Sequence, residues 1–229
     1  MVKSDLIALS KARASMYRFL GGLYIMEVDE EQLNKLKKID FPQIEGSSNS
    51  DLDLKEGYDL MRSYIADIDA SDLEDLAADY AKVFLAAGDA AGRAAFPYEA
   101  VYVNKKHQVG GSTQMQMHAL YLERGLEPDP NVYRTMEDNV GLMLEYMANI
   151  CDEITSAIEN GDKEKLTALI DEQRLFVKKH ITNWIYSFTS DAMKFSERDF
   201  YKAAAKITNG FIKKETELLQ EGDKVWDID

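Results

Sequence analysis

Apolar residues recur at three-to-four spacing along most of this chain, with no sustained alternation, so helices are predicted almost throughout. From Asp5 to about Tyr24, Leu6, Leu9, Met16, Phe19, Leu20 and Leu23 fall on one helical face, and Gly21 and Gly22 weaken its end. A short helix is predicted near Glu30 to Lys38. The stretch FPQIEGSSNSD then reads as a loop, which makes residues 41–51 the best linker or hinge. Helical patterning resumes at Leu52 to Ile68 and again from Ser71, where Ser71-Asp72-Leu73-Glu74 has the form of a capping box. Gly88, Gly92 and Pro97 make Ala87 to Asn104 an irregular surface connection. Gly110-Gly111-Ser112 opens the next helix, closed by Gly125 and a Pro128-Asp129-Pro130 turn. The longest stripe, Met136, Val140, Met143, Leu144, Met147, Ile150, Ile154 and Ile158, predicts a central core helix. After Asn160-Gly161-Asp162 two more are expected, one carrying Leu166 to Ile185 and one carrying Phe200 to Leu218. The fold class predicted is all-α, a single compact domain spanning residues 1–229 and built as a bundle of roughly eight to ten helices.

Composition narrows the function classes. With 229 residues, 45% hydrophobic and 30% charged, the chain can bury a core without crosslinks. Cys151 is the only cysteine, so neither an intramolecular disulfide nor a multi-cysteine zinc site can form. The first residues lack the apolar core of a secretion signal and no run is long enough to span a bilayer, which predicts a cytoplasmic protein without membrane insertion. The formal charge of −14, from 41 acids against 27 bases, disfavours nucleic acid and suits a basic partner, or serves solubility. The stretch Asp67 to Asp79 holds six acids and no base, a pattern that reads as a solvated face.

Catalytic and metal chemistry find no support in the residues. A di-iron bundle needs Glu-x-x-His pairs, and the residues three before His107, His118 and His180 are Asn104, Met115 and Val177. Cys151 lies on the apolar stripe, where a buried inert thiol is expected. The Gly110-Gly111-Ser112 start could hold an anion on its amides, but neither a Walker loop nor a Rossmann fingerprint accompanies it. The chain is therefore predicted to be no enzyme, with no metal and no cofactor.

Recognition is the better reading. The loop AAFPYEAVYVN, Ala94 to Asn104, and the segment MEDNVGLMLEYMANI, Met136 to Ile150, pair aromatic rings with an acidic helix opening. Tyr98 and Tyr102 flank Glu99 beside Pro97, and amphipathic rings of this kind are enriched where peptides bind. Asp138 is either a cap or a carboxylate open to an arginine's fork, and Asn139 can hydrogen-bond beside it. Phe84 reads as core. The predicted peptide-binding surface comprises Pro97, Tyr98, Glu99, Tyr102, Asp138 and Asn139.

At these residues the chain resembles the twin-arginine redox-enzyme maturation chaperones of the TorD/DmsD type. Tyr80-Ala81-Lys82-Val83-Phe84 is similar to that family's aromatic-x-x-Leu-Phe segment, and Pro97-Tyr98-Glu99-Ala100-Val101-Tyr102 to its Pro-x-x-Ser-Val-Tyr. Thr135-Met136-Glu137-Asp138-Asn139, followed by Leu144-Glu145-Tyr146-Met147, resembles its Glu-Pro-x-Asp-His stretch and the helix after it. The aspartate is kept, while Met136 replaces the proline and Asn139 the histidine. Phe176, His180, Trp184 and Phe200-Tyr201 are similar to a further pattern of the family and read as packing. The resemblance implies an all-helical cytoplasmic chaperone that binds the twin-arginine leader, and the apo form of a molybdenum-cofactor oxidoreductase, before export. It adds Tyr80 and Phe84 to the peptide-binding set, and it implies a homodimer made by helix exchange as one assembly. The alternatives are a helical adaptor for a basic partner and a nucleotide-dependent helical enzyme using Asp138 and Glu145.

Overall fold

A computed structural model describes residues 2–88, 92, 94–127, 135–221 and 225–226. Ten α-helices and no strand occur among them: α1 Lys3–Ile25, α2 Glu30–Leu36, α3 Asn49–Asp67, α4 Leu73–Phe84, α5 Glu99–Val103, α6 Ser112–Glu123, α7 Val140–Asn160, α8 Lys163–Phe176, α9 Ile185–Phe195 and α10 Asp199–Glu221. A 3₁₀ turn, Ala70–Asp72, precedes α4, and a π turn, Val177–Ile181, follows α8. The class is the one predicted, all-α. The chain forms two compact units, one of residues 1–25, 98–183 and 215–229, the other of residues 26–97 and 184–214.

In the first unit α1 packs along α7. The helices meet closely because Gly21 and Gly141 lie at the crossing, where a Cβ on Gly141 would stand 2.8 Å from the Gly21 carbonyl oxygen. The apolar stripe of α7 is buried as expected, including Met143, Leu144, Met147, Ile150 and Ile154. Cys151 is buried with it, and burial pushes its thiol up to about 11. The stripe overreached at its start. Met136 fits the apolar period, but the helix begins at Val140, with Asn139 as its cap, so Glu137 and Asp138 precede the first turn instead of forming it. Gly161, at φ 69°, ends α7 in the left-handed region, and Asp162 caps α8 by accepting from Lys165 N at 3.0 Å.

An ionic cluster sits inside this unit. Arg13 from α1 donates from Nε and Nη2 to Glu215 and from Nη2 to Gln173 Oε1 at 2.7 Å. Tyr17 Oη donates to Glu215 Oε2 at 2.7 Å, and the Trp226 ring lies 5.2 Å from Arg13 Cζ. Burial opposes the Arg13 charge, but Glu215 outweighs it and holds the guanidinium's pKa above its ordinary range.

In the second unit α3 packs on the first part of α10, again through glycines. A Cβ on Gly57 would lie 2.7 Å from Ile207 Cγ1, and one on Gly210 would lie 2.5 Å from Leu54 Cγ. Tyr80 and Phe84 of α4 form an aromatic core, with Phe84 edge-on to Tyr201 at 5.2 Å and tilted against Phe188 at 6.0 Å. Asp79, buried on the same helix, accepts from Ser196 Oγ at 2.5 Å and from Glu197 N and Arg198 N at 2.9 Å each, which fixes the turn before α10.

Local signals were displaced in places. The capping box before α4 uses Asp69 and Asp72, not Ser71 and Glu74, and it caps the 3₁₀ turn. The predicted linker 41–51 is irregular only as far as Ser48, which caps α3 with Asp51 in a capping box. Two helices were expected after residue 162 and three occur among the described residues, because the π turn and residues 182–184 interrupt the pattern before Ile185. The Pro128-Asp129-Pro130 turn lies outside the described residues.

Candidate functional site

Two short segments of the first unit are joined backbone to backbone. Tyr98 and Asn139 form an isolated antiparallel bridge, and Glu99 N donates to Asp138 O at 3.1 Å. Tyr98 enters α5 in extended conformation with no side-chain cap of its own. Asp138 supplies the missing acceptor, taking Ala100 N–H on Oδ2 at 3.0 Å. Asn139 accepts Gly141 N–H at 2.8 Å and so caps α7. Adjacent residues of one turn thus start two helices.

The Asp138 carboxylate is fully buried, and its Oδ1 makes no hydrogen bond among the described residues. Burial raises its pKa; the Ala100 N–H opposes that, while the nearby Glu99 and Glu137 charges add to it. Glu99 is also buried, at 3% exposure, with Oε2 3.1 Å from His180 Nδ1 and Oε1 accepting from Asn183 Nδ2 at 3.3 Å. Tyr98 and Tyr102 are half-buried, and Tyr98 Oη is 3.0 Å from Thr135 Oγ1. The 136–139 turn is anchored to α6. Gln114 Nε2 donates to Glu137 Oε2 at 2.8 Å, His118 Nδ1 lies 3.0 Å from Glu137 Oε1, and Tyr121 Oη donates to the Glu137 carbonyl at 2.9 Å. Burial pushes the Glu137 carboxyl up, but the Gln114 and His118 contacts leave it below its ordinary value.

The structure therefore brings Tyr98, Glu99, Asp138 and Asn139 together, with Tyr102 on the same short helix. Pro97 is buried in the second unit, and Tyr80 and Phe84 lie in that unit's aromatic core. The sequence reading missed the contacts that Glu99 makes with His180 and Asn183, which no local pattern announces. Among the described residues no group of three or more His, Cys, Asp or Glu side chains is placed to hold a metal ion, and no helix is long and apolar enough to cross a membrane.

The raised Asp138 pKa has a measurable consequence. A carboxyl whose folded value lies above its ordinary value of 3.8 favours folding when protonated, and that contribution is lost as pH rises through the folded value. Asp138→Asn, neutral at every pH, is thus expected to melt at or above the wild type at neutral pH. The difference should shrink as pH falls through the folded value and be gone below 3.8. Thermal melts across this range check it, and a difference that grows on acidification would contradict the geometry.

A family model described as nitrate reductase delta subunit matches residues 49–190. Over nearly the whole chain there is similarity to proteins named chaperone protein TorD. That of Shewanella pealeana is 23% identical over 219 residues, covering 93% of this chain and 91% of the relative. That of Vibrio vulnificus is 24% identical over 217 residues, covering 94% and 98%, and that of Shewanella loihica is 26% identical over 227 residues, covering 94% and 96%.

Proposed function

The chain belongs to the nitrate reductase delta subunit family, and on that premise we propose that it is a chaperone, not an enzyme, that assists the maturation of a molybdenum-cofactor oxidoreductase. Its near full-length similarity to proteins named as chaperones carries that reading. We propose further that it holds the twin-arginine leader of its client at the junction of Tyr98, Glu99, Tyr102, Asp138 and Asn139. What supports this is the buried Asp138 Oδ1, an acceptor without a donor among the described residues, beside a second buried carboxylate on Glu99. A buried acceptor left unmatched costs about 1–3 kcal/mol, which a guanidinium N–H would offset on binding. The half-buried Tyr98 and Tyr102 rings provide apolar surface beside it. A homodimer made by helix exchange, with the 41–48 segment as hinge, is the assembly this reading admits.

Calorimetric titration with a synthetic peptide bearing two arginines followed by an apolar run tests the leader site. Asp138→Asn keeps an oxygen for Ala100 N–H but removes the charge, so affinity should fall on the order of tenfold to a hundredfold while the fold is retained. Unchanged affinity in a folded Asp138→Asn protein would remove Asp138 from the site.

A further inference from the structure

Residues 103–122 contain no acid, in a chain of net charge −14 whose 41 acids are spread over 229 residues. Their only full charges are Lys105 and Lys106, both exposed. Four large apolar side chains of this segment face solvent: Met115 at 72% exposure, Leu122 at 48%, Val109 at 45% and Val103 at 40%. On α6, Met115, Ala119 and Leu122 recur at four and three residues and form one outward stripe, opposite the inward Thr113, Met117 and Tyr121. The helix is therefore apolar on both sides, and among the described residues only the inward side is covered.

The stripe adjoins the candidate site, since Gln114, His118 and Tyr121 of the same helix all bond Glu137, one residue before Asp138. Resting on the leader-binding reading above, we propose that this stripe, with Val103 and Val109, receives the uncharged apolar run of the leader whose arginines are held at Glu99 and Asp138. Charge divides the two roles. Buried carboxylates attract guanidinium groups, whereas Lys105 and Lys106 repel them and leave the acid-free face to uncharged side chains. Methionine at the most exposed position suits runs of differing sequence, because its thioether side chain re-packs easily. Twelve helical residues give a track about 18 Å long, enough for a run of about a dozen residues in helical form.

The test uses the full chain and three synthetic peptides: one with two arginines and a leucine-rich run, one with both arginines replaced by glutamine, and one with the run replaced by serine and glycine. The protein variants are Met115→Glu with Leu122→Glu, both at exposed positions, and Asp138→Asn. The double variant is expected to bind the complete peptide on the order of tenfold or more weakly and to bind the peptide without the run as the wild type does. Asp138→Asn should show the reverse selectivity, losing affinity for the complete peptide but not for the one lacking arginines. A photoreactive leucine in the run should crosslink within residues 103–122. A double variant that binds the complete peptide like the wild type, or crosslinks that fall elsewhere, would overturn the α6 assignment and leave the leader reading standing. A wild-type protein that binds none of the peptides would overturn both.

Discussion

Replacing Glu215 by Ala is expected to destabilise the protein by about 3–5 kcal/mol, the range found when one partner of a buried ion pair is removed. Arg13 and Glu215 are only 3% and 2% exposed, so the guanidinium left behind cannot regain its water without the unit opening. Two of its nitrogens contact Glu215, at 2.8 Å from Nε and 2.7 Å from Nη2, and Nη1 makes no hydrogen bond among the described residues. Tyr17 would also lose its acceptor. The pair itself is worth less than its disruption, because both charges were desolvated to form it. Arg13→Met combined with Glu215→Leu, of similar volume, should therefore recover most of the loss. Chemical denaturation of the wild type, Arg13→Met, Glu215→Leu and the double variant gives the cycle, with Glu215→Ala measured beside it. Additive losses, with no recovery in the double variant, would show that packing and not charge burial dominates.

What was legible in the sequence was whatever repeats within a turn or two of helix. The apolar stripe of α7 announced its burial, because three-to-four spacing is a local signal. In α1 only Leu6, Leu20 and Leu23 of the predicted face are buried, while Leu9, Met16 and Phe19 are half-buried, since the packed face also carries Ser10, Arg13, Ala14 and Tyr17. The start of α7 was misplaced because Met136 keeps the apolar period while the backbone has already turned, and periodicity carries no information on where a cap falls. The π turn at Val177–Ile181 was invisible for a related reason: one widened turn leaves apolar residues near their expected places. Long-range polar pairs were beyond reach altogether. Arg13 and Glu215 are 202 residues apart, and Asp79 reaches Ser196 across 117. Neither residue differs locally from the many charged residues on solvated faces. At the candidate site the pattern named Tyr98, Glu99, Asp138 and Asn139, which do meet, but it set two roles for Asp138 as alternatives. The structure gives its two oxygens different circumstances, Oδ2 holding Ala100 N–H and Oδ1 unmatched among the described residues.

Gly141→Ala is expected to lower stability by about 1–3 kcal/mol, although alanine is the better helix former. The added methyl would stand 2.8 Å from the Gly21 carbonyl oxygen and 2.8 Å from Ile25 Cβ, and the first of these is backbone that cannot rotate aside. The clash is relieved only if α1 and α7 separate, which opens voids along their shared core. Gly141 N–H is also the group that Asn139 caps, at 2.8 Å, so the shift would strain the turn that pairs with Tyr98. Gly22 is the internal control. It lies on the same α1 helix one residue from Gly21, yet a Cβ there meets nothing within 4 Å. Gly22→Ala should accordingly stabilise by about 0.5–1 kcal/mol, through restriction of the unfolded chain and better helix propensity. Thermal melts of the two variants read opposite signs if the crossing is as close as the structure has it. Melting points that rise in both would mean that α1 and α7 have room for a side chain at Gly141, and the glycine-mediated contact would have to be abandoned.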